Sequence, residues 1–315
     1  MSDDRQLTCC ICDDPLRPPY HILGQRAYCD RHFATVNKPH AGFWRAGLVQ
    51  IVSMGLISAL VAYLAGMIGP LSGPALTLAG VVLAVVPSAI WLVFFYRQDR
   101  LEPEPKLRVA GVFLLALILA DVLGRRVIED WFQVRLWASA SSATSLAASI
   151  LIAGVTWQAV AYAAVRLLVY ATPEFDERMD GIVYGTVAGL GVATLLNLRY
   201  VLDNGGVALG PGVINAVTAA LAQASFGGLM GYFIAEAKFT HRPAWWVPAG
   251  FALSAALNGL FSWLIGEVSA VGLGVEYWRS LALGLAVALA AFFTLVALMR
   301  RSIDVTLRQT GRPAS

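Results

Sequence analysis

The chain has 315 residues, 58% of them hydrophobic and 14% charged, with a formal net charge of +3 and a mean hydropathy of +0.66. A soluble domain of this size carries about 25% charge, so the composition excludes an ordinary soluble enzyme, while the small net charge discriminates little. The apolar residues cluster into long runs, which is the pattern of a membrane-spanning protein.

The first 40 residues stand apart as polar and cysteine-bearing. They contain no apolar h-region and no small-residue cleavage site, so they read as a soluble appendage rather than a signal peptide. All four cysteines (Cys9, Cys10, Cys12, Cys29) fall here. Cys9-x2-Cys12 and Cys29-x2-His32 form two short chelating pairs separated by sixteen residues. A closed Cys3His set is how structural zinc is caged, and it leaves no open position for a hydrolytic water. The intervening DDPLRPPYHILGQRAY carries Pro and Gly turn signals and suits a short hairpin. The YCDRH that closes it resembles half of a LIM-type or related treble-clef module. A disulfide-bearing or unstructured tail is the alternative. A reducing cytoplasm disfavours the first, and so small an ordered unit normally needs a metal or another staple. Cys10 cannot easily serve beside Cys9, and His21 is a weaker alternative ligand. The segment is not strongly basic, so a protein partner is favoured over nucleic acid. Residues 32–45 read as a linker ending in the interfacial pair Trp44 and Arg45.

Eight apolar runs follow, near 45–69, 75–96, 109–127, 144–170, 181–202, 213–236, 245–267 and 279–299. Each holds about 20 or more mostly apolar residues, enough to cross a hydrocarbon core of roughly 30 Å. The fold class expected is an all-α polytopic membrane protein of about eight transmembrane helices, with a zinc-finger-like module at residues 1–40, the membrane domain at 41–300 and a basic, disordered tail at 301–315. If the N-terminus is cytoplasmic, all but six of the 23 Lys and Arg residues fall in cytoplasmic segments; the six are Arg125, Arg126, Arg135, Arg166, Arg199 and Arg279. Positive-inside bias therefore puts both termini in the cytoplasm of an inner or plasma membrane.

The polar residues in and between the runs carry the remaining signals. After the second run comes YRQDRLEPEPKLR, where two prolines one residue apart block helix continuation. The physical reading is a rigid connector whose arginines pair with Glu102 and Glu104. In the third run Asp121 is expected at a solvated helix end with Arg125. Residues 128–143 interleave Trp131, Phe132 and Trp137 with charges, and fit either an amphipathic surface helix or a plain loop. In the fourth run Arg166 could snorkel or pair with Glu174, Asp176 or Asp180. Glu236 and Glu267 read as interfacial. Residues 173–200, PEFDERMDGIVYGTVAGLGVATLLNLRY, run from an acidic rim into a helix with glycines at 181, 185, 189 and 191. That small-residue spacing marks a close packing seam more readily than a substrate groove.

Two of these segments resemble the PrsW family of intramembrane metalloproteases. In the first, Tyr96, Asp99, Glu102, Pro103, Glu104 and Pro105 match a Y-x-x-D-x-x-E-P-E-P segment. In the second, Phe175, Glu177, Asp180, Gly181, Ile182, Val183, Tyr184, Gly185, Gly189, Leu190, Gly191, Ala193, Asn197 and Tyr200 match F-x-E-x-x-D-G-I-V-Y-G and the motif after it. The resemblance covers about residues 90–265 and implies a metal held inside the bilayer by an E-E-x-x-K helix, a Glu-Asn pair and histidines on two later helices. Here Tyr162 and Ala163 stand in place of the two glutamates, with Arg166 as the basic residue. Leu196 precedes Asn197 where the family has Glu-Asn, and Gln223 and Asn258 replace the histidines. The chain's histidines are His21, His32, His40 and His241, none within an apolar run. These substitutions remove the ligands that hydrolytic zinc requires. Asn197, Gln223 and Asn258 are expected to hydrogen-bond one another across helices or to line a polar pocket.

The resulting expectation is a pseudoprotease that binds membrane proteins or their transmembrane segments within the bilayer, acts in regulation or signalling, and recruits a cytoplasmic protein through its zinc module. A protease with a rearranged site near Asp176, Glu177 and Asp180 is one alternative. A transporter or lipid-handling protein is another, although no internal repeat supports a secondary transporter.

Overall fold

The structure, a computed structural model, describes residues 7–12, 14–18, 20–23, 26–36, 45, 47–53, 55, 56, 60, 63, 73–98, 104–203, 209–270 and 277–308. The expected hairpin is present: β1 (His21–Leu23) pairs antiparallel with β2 (Arg26–Tyr28). A short helix, α1 (Asp30–Val36), follows directly.

The rest is helical. In chain order it comprises α2 (Gly73–Gln98), α3 (Lys106–Leu119), α4 (Ser142–Ala148), α5 (Val155–Leu168), α6 (Arg178–Asp203), α7 (Leu209–Phe239), α8 (Trp246–Ala270) and α9 (Tyr277–Arg308). A wider π-turn, Ser149–Gly154, joins α4 to α5 without breaking the rod. Among the described residues, seven helical segments are long and apolar enough to span a membrane: Gly73–Arg97, Lys106–Trp131, Ser142–Leu168, Arg178–Leu202, Asn215–Phe239, Trp246–Ile265 and Leu285–Val305. They correspond to the second to eighth expected runs. The first run, 45–69, lies largely outside the described residues; those described within it are helical.

Two helices form the centre. In an 18-residue apolar stretch of the α6 and α7 spans, 89% of residues are buried, against 28–50% in the corresponding stretches of the other five. The peripheral helices turn large apolar side chains such as Leu78, Leu114, Ile118 and Leu151 outward, as a lipid-facing surface requires. What lets α6 and α7 approach so closely is the absence of side chains at their crossing. A Cβ on Gly181 would strike the Gly231 carbonyl, and one on Gly185 the Gly227 carbonyl. The glycines of residues 181–191 are thus a packing seam, as their spacing suggested. A second close approach, of Gly154 to the Ala255 carbonyl and Gly259 amide, pulls the π-turn against α8.

Several local expectations are corrected. The helix of the third run does not end at its charges but continues as π-helical turns through Trp131. Beyond it, residues 128–143 form neither one amphipathic helix nor a plain loop. Gln133 adopts a left-handed φ of 45°, which splits the segment into helical pieces at Val134–Trp137 and Ala138–Ala140. At the other end of the chain, residues 301–308 are helical rather than disordered, because Ser302 and Ile303 are buried.

Candidate functional site

The N-terminal cluster is assembled by the hairpin and the helix after it. Cys29 leads into α1, which carries His32 in its first turn. The backbone N–H of Cys9 donates to the Asp14 carbonyl (2.9 Å) and that of Cys10 to Ala27 (3.1 Å), folding the first knuckle back on the hairpin. Ligand atoms of Cys9, Cys12, Cys29 and His32 all lie within 4.8 Å of one another. Nδ1 of His32 is 3.5 Å from the Cys9 sulfur and 3.3 Å from that of Cys29. Burial raises the Cys9 thiol, but backbone groups at Cys29, Ile11 and Cys12, with His32, outweigh it and bring it down to about 6. A thiol so poised ionises readily, which is what metal ligation needs. His21 takes no part: its Nε2 contacts Asp30 at 2.8 Å and its ring stacks on Phe33. Cys10 stands outside the set. These four residues could hold a metal ion.

The second constellation lies where the bundle meets the loops before α3 and α6. Tyr184 Oη donates to Glu104 Oε2 at 2.6 Å, and Tyr96 Oη donates to the Glu104 carbonyl at 3.0 Å. The two motif segments, eighty residues apart, therefore share one buried hydrogen-bond chain. Phe175 stacks on Tyr184 and on Phe239. Asp180 Oδ2 accepts from the backbone N–H groups of Asp176 and Glu177, each at 2.7 Å. It thereby satisfies donors that the start of α6 would otherwise leave orphaned. The Glu104 carboxyl is raised to about 7, chiefly by burial and further by the nearby Glu177 and Asp176 carboxylates, although Tyr184 and Asp180 bond to it.

Cations strap this face. Arg108 reaches Glu174 at 3.2 Å, and Lys238 donates to the carbonyls of Tyr170 and Phe175, each at 2.7 Å. The expected pairing of Glu104 with a flanking arginine is not what occurs. Burial against α6 gives Glu104 a tyrosine, and Arg108 turns to Glu174. Asp99, Glu102 and Pro103 lie outside the described residues; Pro105 precedes the first turn of α3. Arg166 stacks 4.0 Å over the Tyr170 ring. Glu236 is buried rather than interfacial, held between Arg178 (3.1 Å) and Arg242 (2.6 Å). The Glu267 side chain lies outside the described residues. Asp121 pairs with Arg199 of α6, not with Arg125, which binds Glu129.

Inside the bundle, the positions expected to carry intramembrane ligands are neutral apart from Arg166, which sits exposed at the end of its helix. Gln223 and Asn258 are 2% and 0% exposed. Their amides exchange two hydrogen bonds, Gln223 Nε2 to Asn258 Oδ1 (3.0 Å) and Asn258 Nδ2 to Gln223 Oε1 (2.8 Å). Asn197 does not join them. It donates to the Ala216 carbonyl instead (3.2 Å), because the antiparallel register that sets Gly189 against Gln223 carries Asn197 two turns further along α6. Leu196 packs in an apolar cluster with Trp157, Val160, Val192 and Leu195. Tyr162 and Ala163 are part-buried on α5. Sequence reasoning missed the Glu104–Tyr184 bond, whose only prior signal was that both residues belong to the matched motifs.

A central pair of glycine-sutured helices, wrapped by five further spans and closed at one end by an acidic rim, defines a polytopic helical membrane protein with the two motifs of a protease family brought together. The profile of the PrsW family intramembrane metalloprotease matches residues 104–299. Protease PrsW of Geobacillus kaustophilus (strain HTA426) is 32% identical over 182 residues, which cover 58% of this chain and 77% of that protein. Protease PrsW of Bacillus subtilis (strain 168) is 26% identical over 187 residues, covering 59% and 82%. No solved structure matches. The chain belongs to the PrsW family.

Proposed function

We infer that this PrsW-family protein binds transmembrane segments of other membrane proteins without hydrolysing them, and that its N-terminal cluster holds a structural zinc ion. The observation that carries the reading is the closed amide pair of Gln223 and Asn258 at the positions where the family resemblance sets histidines. A hydrolytic zinc takes His, carboxylate or thiolate ligands and keeps one position open for water. Tyr162, Ala163, Leu196, Gln223 and Asn258 offer none of those ligand types, and the two amides already satisfy each other. The residues do not fit an intramembrane catalytic metal.

What remains is a packed interior with a neutral hydrogen-bonding centre, which supports recognition of helices rather than chemistry upon them. Four ligands with no open position suit a zinc that stiffens a small module. On the cytoplasmic side assigned by the Lys and Arg distribution, that module would recruit a protein partner and give the membrane domain a regulatory or signalling output.

The test incubates purified protein, loaded with zinc, with photocrosslinkable single-span reporters. Crosslinked but uncleaved reporter is the expected result. Cleavage that disappears in Gln223→Leu or Asn258→Leu would overturn the reading.

A further inference from the structure

A groove of about 530 Å³ runs between the described start of the first apolar run and α2, lined by Val49, Gln50, Val86, Ile90, Val93 and Arg97 among others. Val49, Val86 and Val93 are exposed, and they sit on two apolar runs of a membrane protein, so the groove opens toward lipid rather than water. Its α2 wall is apolar from Val86 to Phe94 and ends at Arg97, in the last turn of that helix. Arg45 precedes Val49 by four residues in the sequence and is helical and exposed. Among the described residues neither guanidinium is paired with a carboxylate.

We propose that this groove is a binding site for an anionic phospholipid, with an acyl chain along Val86, Ile90 and Val93 and the headgroup phosphate held by Arg97 and Arg45. The charge pattern favours this occupant over the others. A partner helix would have to place an acidic residue at the membrane surface opposite two arginines, whereas every anionic phospholipid carries its phosphate at that depth and its chain below. Arginine matches phosphate through bidentate hydrogen bonds, and Gln50 adds a neutral group beside it. The zwitterionic lipid phosphatidylcholine offers the same chain without net negative charge, so the arginines should select between lipids and the groove should set the number bound.

The test uses full-length protein exchanged into mixed micelles of equimolar phosphatidylglycerol and phosphatidylcholine, with retained lipid counted by native mass spectrometry. Wild type should keep phosphatidylglycerol in preference. Arg97→Gln and Arg45→Gln should each reduce that preference about fivefold, the effect of roughly 1 kcal/mol per basic residue near the surface. Val93→Trp, which fills the groove from its exposed wall, should reduce retention of both lipids. Arg97 and Arg45 lie on the surface, so their variants keep the fold and remain informative. Equal retention of the two lipids by wild type would overturn the proposal. So would an unchanged preference in the double arginine variant, or a second copy of the chain or a protein segment found in the groove in place of lipid.

Discussion

Gln223 on α7 and Asn258 on α8 exchange two hydrogen bonds across a helix interface with almost no solvent contact. Each amide is the other's partner, so the pair is worth most when intact. Single replacements Gln223→Leu or Asn258→Leu should each cost about 1–3 kcal/mol by leaving a buried amide unpartnered, while the double variant should cost less than their sum. Thermal unfolding in detergent across the four proteins of the cycle measures the coupling. Additive losses would show that the two side chains do not depend on each other.

The glycine seam gives a steeper expectation. Gly185 and Gly231 face backbone, which cannot rotate away, whereas nothing lies within 4 Å of a Cβ placed on Gly55. Gly185→Val or Gly231→Val should destabilise by about 3 kcal/mol or more. Gly55→Ala should be neutral or gain a few tenths of a kcal/mol from helix propensity. Melting temperatures of the three variants decide this, and similar values for all would contradict the crossing.

Much of this was legible in the sequence, and the reason is physical. Hydrophobic run length located the spans, glycine spacing located the seam, and chelate spacing located the Cys/His cluster, because each is a local pattern. Pairings across the fold were not legible. Arg199 with Asp121, Arg108 with Glu174 and Tyr184 with Glu104 depend on helix register and tilt, which no periodicity encodes. Asn197 shows the same limit: its residue type suited the Gln223–Asn258 pair, but its height along α6 did not. Glu236 looked interfacial because it lies near the end of an apolar run, yet arginines from either side draw it into the interior.

Glu236 and its two arginines carry their own prediction. Glu236 pairs with both Arg178 and Arg242, and Arg178 is itself buried. Removing the carboxylate with Glu236→Ala should cost about 3–5 kcal/mol, the penalty for leaving a buried charge uncompensated. The companion Glu236→Ala/Arg178→Met should recover part of it. Denaturant or thermal unfolding of both variants checks the order.

Glu104 makes stability depend on pH. Its carboxyl is raised to about 7 in the fold, so between its ordinary value and 7 the folded chain holds a proton that the unfolded chain has lost. Stability is then full at the acidic end of that window and falls as pH rises through 7, by an amount on the order of 3 kcal/mol. Glu104→Gln should flatten the melting-temperature profile between pH 5 and about 8. A profile equally steep in the variant would assign the dependence to other groups.

The most direct measurement is the zinc content of purified full-length protein beside a Cys29→Ser/His32→Ala variant and a Gln223→Leu/Asn258→Leu variant. A single zinc per chain in the wild type, lost from the first variant and kept by the second, is expected if the only metal sits in the N-terminal module and the membrane interior is neutral. Zinc retained without Cys29 and His32, and lost with Gln223 and Asn258, would place a metal inside the bilayer and contradict the proposed non-hydrolytic role.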